Sequence, residues 1–271
     1  KGKDVVTANK QLLASRGESL FTLARDLKRH LRFEASVAGA IPIIKVMRES
    51  MIAAEVHTVY GIVNGTTNYI LTRMYNEEGD YADILAEAQR LGYAEADPTA
   101  DVGGGDAAAK MAILGSIAFH SRVTLSDVAF EGIQDVSLGD VRYAKEFGFV
   151  VKLIGAARLI DDKVSVRVFP ALLPLDHPLA TISGSMNAVF VQGHAIGEIM
   201  LMGPGAGGMP TATAVVSDIV SIANTKDVGF LQSCSCYRSL DFYPAPDVES
   251  AFFIKLDVED VSGVLARIAA V

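Results

Sequence analysis

Val150-Val151-Lys152-Leu153-Ile154-Gly155-Ala156-Ala157-Arg158-Leu159-Ile160, then Asp161-Asp162, then Lys163-Val164-Ser165-Val166-Arg167-Val168-Phe169 sets two β-prone runs on either side of a two-residue polar break. Valine- and isoleucine-rich runs bounded by turn residues read as strands, so 150–160 and 163–169 are expected to pair as a hairpin turning at Asp161-Asp162. Residues 187–192 read as a further strand, and 56–63, β-branched and closed by Asn64-Gly65, as another. The second half is therefore expected to be α+β with antiparallel pairing.

The first forty residues read differently. A short β-prone run, Asp4-Val5-Val6-Thr7-Ala8, precedes helical spacing through Leu12, Leu13, Leu20, Leu23, Ala24 and Leu27, and Leu31-Arg32-Phe33-Glu34-Ala35 returns to strand. Strand, helix, strand at this length is a βαβ unit with a parallel pair, the tail of an α/β domain. From Pro42 the apolar positions Ile43, Ile44, Met47, Met51 and Ile52 predict a crossover helix, and 68–75 resumes a helical period. A further helix is expected after Asp80, with Ile84, Leu85, Ala88 and Leu91 inward and Gly92 as its stop. Gly103-Gly104-Gly105 leads into 106–119, which reads as a nearly buried helix, and 211–224 as a last long one. Residues 225–248 read as a loop-rich connector, then 251–258 as a strand and 264–270 as the start of a helix.

Composition narrows the function. Lys and Arg number 24 against 32 Asp and Glu, a formal charge of −8, which disfavours a dedicated nucleic-acid binder. Half the residues are hydrophobic, enough to bury a large core. Cys234 and Cys236 are too few for a disulfide framework and lack metal-site partners. Apolar stretches such as 111–119 fall far short of the roughly 20 residues of a membrane helix, and no signal-peptide pattern opens the chain. A cytoplasmic protein with no membrane partner is expected. The chain opens at Lys1 and ends at Val271 inside what reads as an element, as expected of a piece of something longer.

Chemistry concentrates in Gly92–Lys110, where Glu95, Asp97, Asp101 and Asp106 precede Lys110. Asp106 and Lys110 are four apart, on one helix face with the acid N-terminal. That spacing alone describes an ordinary surface pair, but Ala107, Ala108, Met111, Ile113 and Leu114 leave little polar face and place Lys110 in partly desolvated surroundings. The segment 97–101 lacks the alternating ligands of a calcium loop. Gly203-Pro204-Gly205-Ala206-Gly207-Gly208 matches GxGxxG, yet Asp227 precedes the next apolar run, 228–231, instead of ending a strand. A glycine loop whose backbone approaches a ligand, or a plain strand-to-helix turn, fits better. Lys10 sits past the carboxyl end of a parallel strand, where open α/β sheets bind ligands. Glu34, among small residues with accessible carbonyls, suits either a hard cation or a helix-facing turn. Asn64-Gly65-Thr66-Thr67-Asn68 are helix caps that could also donate to a ligand. His30, His57, His120, His177 and His194 show no ligand spacing.

Together, residues 2–10, Phe33-Glu34-Ala35-Ser36-Val37-Ala38-Gly39, Asn64-Gly65-Thr66-Thr67-Asn68 and 92–110 resemble the homoserine dehydrogenases in motif, order and spacing, and 203–218 resembles that family's late glycine loop and helix. The resemblance implies a Rossmann-like tail at 1–41, a catalytic substrate and dimerisation domain at 42–224, a connector at 225–250 and the start of an ACT-like regulatory module at 251–271. The family's dinucleotide fingerprint lies upstream of the position of Lys1.

The implied reaction interconverts L-homoserine and L-aspartate 4-semialdehyde with NAD or NADP, in threonine, methionine and isoleucine biosynthesis. Carried over residue by residue, Lys110 is the acid/base and Asp106 orients it and touches substrate. Gly92 and Glu95 bind the amino-acid substrate, Lys10 and Gly207 approach the cofactor, and Glu34 with the carbonyls of Val37, Gly39 and Ile41 binds a monovalent cation, sodium. A homodimer or higher homo-oligomer is implied. Lys110 must lose a proton before homoserine oxidation, so faster oxidation at alkaline pH is expected. The competing readings are a non-catalytic amino-acid-binding regulatory module and a dehydrogenase of another small aldehyde.

Overall fold

The computed structural model describes residues 2–225, 238–259 and 261–270. Cys234, Cys236, Asp227 and the run 228–231 lie outside the described residues. At the N-terminus, β1 (Val5–Val6), α1 (Lys10–Asp26) and β2 (Leu31–Arg32) form the expected βαβ unit, with Val5 opposite Leu31 in a parallel pair. Asn9 caps α1, its Oδ1 accepting from the Leu12 N–H at 3.0 Å, and so fixes Lys10 at the first helical position.

The crossover helix expected from Pro42 is shorter than the apolar spacing suggests. α2 covers only Ile43–Lys45 and then widens into a π-turn over Val46–Ser50, closed by Met51 N–H donating to Val46 O at 2.9 Å. That turn buries Met47 and Met51. After it come β3 (Val56–Ile62), α3 (Gly65–Glu77), α4 (Tyr81–Arg90), α5 (Thr99–Val102) and α6 (Gly105–Ala118). Ile84 and Ala88 of the α4 pattern face inward, but Leu91 is exposed, because α4 ends at Arg90 and the chain turns outward.

β4 (Ala129–Phe130), α7 (Leu138–Glu146), β5 (Phe149–Ile160), β6 (Lys163–Pro174), β7 (Met186–Gly193) and β8 (Gly197–Pro204) follow, and α8 (Gly208–Thr225) leaves the sheet. The six strands from β3 onward lie in the order β4-β6-β5-β3-β7-β8, antiparallel except for β4 beside β6. The β5–β6 hairpin turns through Asp161 and Asp162, both at positive φ, the mirror-image turn whose twist suits two right-twisted strands. α3, α6 and α7 cover one face of the sheet. α6 lies so close that a Cβ on Gly155 of β5 would sit 2.3 Å from Met111 Cγ. The expected strand at 251–258 forms no ladder among the described residues, and Phe252 and Ile254 are exposed. α9 (Val264–Ala269) follows it.

Within β5 one buried residue is charged. Lys152 on β5 is 2% exposed, and its ammonium donates to Asn68 Oδ1 at 2.9 Å and Ile182 O at 2.6 Å, with no carboxylate among those partners. Burial pushes it down to about 8. The unfolded chain therefore binds more protons than the folded one between that value and the ordinary lysine range, so stability rises with pH there. The thermal midpoint should climb between pH 7.5 and 9.5 in the native protein and lose that increment in Lys152→Met; an equal increment in both would contradict the assignment.

Candidate active site

α6 carries its chemistry at its first turn. Gly104, at φ +86, reverses the chain ahead of the helix, and a Cβ there would lie 2.9 Å from Glu131 O. Only glycine both takes that turn and fits against the 131–132 backbone. Asp106 then follows in the first turn and is 6% exposed. Its Oδ2 accepts from Lys110 Nζ at 2.7 Å, its Oδ1 pairs with Lys10 Nζ at 2.9 Å, and Asn64 Nδ2 donates to Oδ2 at 2.9 Å. Burial pushes the Asp106 carboxyl up, yet the Lys110 and Lys10 charges and the hydrogen bonds outweigh it and hold it below the usual range. The Asp106–Lys110 pair is therefore a buried ion pair and not the surface pair its spacing alone allows.

Lys110 Nζ also donates to Val63 O at 2.7 Å. An ammonium has three hydrogens, so two are placed by the protein and a third remains for a ligand oxygen. Asn64 is held at both ends of its amide. Oδ1 caps α3 by accepting from Thr67 N–H at 2.9 Å, while Nδ2 donates to Asp101 Oδ1 at 2.7 Å and to Asp106. Burial raises the Asp101 carboxyl, with Asp106 and Glu95 raising it further against the pull of Asn64 and Lys110. Asp101 is a site member to which the sequence reading gave no role, while Asn64, expected as a helix cap able to donate, caps α3 and donates to Asp101 and Asp106. The signal for Asp101 lay in an acid just before a glycine triplet.

The loop of Gly92 and Glu95 is tied to α3. Thr66 Oγ1 donates to Tyr93 O at 2.6 Å, and the Tyr69 and Tyr93 rings lie 4.8 Å apart. Glu95 is exposed, near enough to Asp101 to act on its carboxyl, and Gly92 (φ +77) lies in the open at the end of α4. Gly207, at φ +117, belongs to the turn between β8 and α8, where its carbonyl accepts from the Thr211 N–H at 3.0 Å. The structure thus brings Lys10, Asp106 and Lys110 together, with Glu95 at the rim.

Glu34 sits apart, 7% exposed. Its Oε1 and Oε2 accept from the N–H groups of Ile44 and Lys45, each at 2.8 Å, so it caps α2 as a helix-facing acid would. Burial pushes it up to about 7 against those two bonds, and the Asp218 carboxylate adds to the rise. Val37 and Gly39 are buried, and among the described residues no backbone N–H donates to their carbonyls. The Ile41 carbonyl accepts from Ile43 N–H at 2.8 Å.

A family profile described as homoserine dehydrogenase matches residues 42–220. The homoserine dehydrogenase of Corynebacterium glutamicum is 48% identical over 275 residues, covering 99% of this chain and 62% of the relative. That of Bacillus subtilis is 44% identical over 272 residues, covering 99% and 63%. A crystal structure of a homoserine dehydrogenase from Thiobacillus denitrificans superposes with a TM-score of 0.92 at 40% identity, covering 99% of this chain and 64% of that one. The chain thus spans a little under two thirds of the length of these relatives. Matched by profile, sequence and fold around the Asp106–Lys110 pair, it belongs to the homoserine dehydrogenase family.

Proposed function

We propose that the protein carrying this chain interconverts L-homoserine and L-aspartate 4-semialdehyde, with Lys110 as acid/base. The observation that carries the reading is the partly buried Lys110 ammonium fixed by Asp106 and Val63 with one hydrogen left to give. Reduction of an aldehyde develops negative charge on oxygen, and a positioned ammonium both stabilises and protonates it. In the other direction Lys110 takes the hydroxyl proton. Asp106 keeps the amine aimed, and Lys10, on the same carboxylate, faces the reacting centre. Glu95 at the rim meets the substrate ammonium, with Gly92 lending backbone.

NAD or NADP, when bound, supplies or accepts the hydride. The residues present suit its nicotinamide end: Lys10 lies past β1 at the start of α1, and Gly207 and Gly208 open α8 with nothing within 4 Å of a Cβ at Gly208. The setting would be cytoplasmic amino-acid biosynthesis toward threonine, methionine and isoleucine, in a homodimer. Among the described residues no helix is long and apolar enough to cross a membrane. Assaying L-homoserine, D-homoserine, L-serine and L-threonine as hydride donors tests the reading. Activity confined to L-homoserine supports it, and preference for another alcohol replaces it with a different dehydrogenase.

Sodium at Glu34, Val37, Gly39 and Ile41 belongs to the same proposal. The fit is supported by the buried carbonyls of Val37 and Gly39, to which no backbone N–H donates among the described residues, in the same short segment as a carboxylate that burial disfavours as an anion. The folded-state value near 7 lies above the usual 4.5, so Glu34 contributes stability that is complete below 4.5 and lost as pH rises through 7. A bound cation would restore it above 7. The thermal midpoint at pH 8 should be higher in sodium chloride than in choline chloride at equal ionic strength, with the gap narrowing at pH 6. Equal midpoints in both salts at pH 8 would remove the cation from the account.

A further inference from the structure

Asn187 on β7 is fully buried, and among the described residues neither Nδ2 nor Oδ1 of its amide has a hydrogen-bond partner. Its neighbours are bare backbone. A Cβ on Gly205 would lie 2.0 Å from Asn187 Cγ and Nδ2, and a Cβ on Gly65 would lie 3.6 Å from Oδ1 and 2.7 Å from the Ser185 carbonyl oxygen. Gly39, at φ +55, closes the stack from the other side, since its Cβ would lie 2.6 Å from the carbonyl carbon and oxygen of Gly205. Three glycines thus make room around an amide that then bonds to nothing.

An unbonded buried amide is unfavourable, and an apolar side chain of the same shape would fill the space at lower cost. Departures of this kind concentrate where a second conformation or a ligand needs the group. The position says which. Gly205 begins the turn that leads through Gly207 into α8, and Gly65 is the first residue of α3, next to Asn64 and its bonds to Asp101 and Asp106. The amide lies between the 205–207 turn and the start of α3, where Asn64 holds the two carboxylates.

We infer that Asn187 is a positioning residue for the dinucleotide: its amide takes up the main-chain N–H and C=O groups of residues 205–207 when that turn closes on the nicotinamide. The inference rests on the homoserine dehydrogenase reading, because it needs a dinucleotide at this turn. Asn187 touches neither substrate nor cofactor and acts through the turn. Ligand binding that makes bonds absent beforehand gains affinity from them, and removing them raises the dissociation constant.

Asn187→Leu and Asn187→Ala in the full-length polypeptide that carries this sequence test it by three readouts: the thermal midpoint without cofactor, the NADPH dissociation constant from nicotinamide fluorescence, and KM for each substrate. In the Leu variant the midpoint should stay at or above the native value, the NADPH dissociation constant should rise by about tenfold or more, and KM for homoserine should change little. Unchanged NADPH affinity in a folded variant overturns the inference. So does a collapse of the cofactor-free midpoint in both variants, which would make the amide a structural strut. Failure of the native polypeptide to oxidise homoserine while it still binds NADPH would instead strike the functional reading.

Discussion

On the proposed reaction, Lys110→Met is expected to lower the rate of homoserine oxidation by about a hundredfold or more while the protein stays folded and keeps its affinity for NADP. Methionine keeps most of the length and the apolar stem of the lysine, so little space is opened on α6. What disappears is the group 2.7 Å from both Asp106 Oδ2 and Val63 O. Asp106 keeps Lys10 at 2.9 Å and the Asn64 amide, so its charge is not stranded. The loss should therefore fall on kcat and not on folding. Steady-state kinetics with a parallel melting curve checks this, and a variant that raises KM at unchanged kcat would show that Lys110 binds without moving a proton.

Asp106→Asn should cost both activity and stability. It removes the one anion shared by Lys10 and Lys110, leaving two ammonium groups facing an amide. Stranding buried charge costs a few kcal/mol, about 2–4 here because Lys10 is partly exposed and screened. A fall in the thermal midpoint of about 5–10 °C is expected, with turnover down by about a hundredfold or more. The pH dependence has a definite sign. Because the Asp106 carboxyl is held below its usual range, its contribution is present above the unfolded-state value and lost as pH falls through the folded one. The gap in midpoint between native protein and Asp106→Asn should thus close on strong acidification. A gap that stays constant into acid would mean that Asp106 is not ionised in the native protein.

Much of this was legible in the residue pattern, for identifiable reasons. The β5–β6 hairpin declares itself because β-branched runs flank a polar pair able to take positive φ, and α6 because a run so apolar has nowhere to go but against the sheet. Asp106 and Lys110 stand out as the polar pair at the start of that run. β8 was harder, since its strand sits on the sheet edge with Met202 exposed and lies between glycines that read as a loop. α7 was missed although Ser137 and Asp140 form a capping box, because its apolar face is only Val141 and Ala144. The π-turn after α2 satisfies helical spacing locally, so the period alone could not reveal that the helix ends at Lys45. In sequence Asn64 declares only its cap, and Asn187 and Lys152 are ordinary polar letters. Their meaning comes from what the fold sets against them: two carboxylates, three glycines and a loop carbonyl.

The most direct test is nicotinamide absorbance after L-homoserine and NADP are added to the full-length polypeptide that carries this sequence, run beside its Lys110→Met variant. Steady reduction of NADP by the native protein, nearly abolished in the folded variant, is the predicted result. A well-folded native protein that leaves NADP and NAD unreduced, or a variant that turns over as fast as the native protein, would contradict the account.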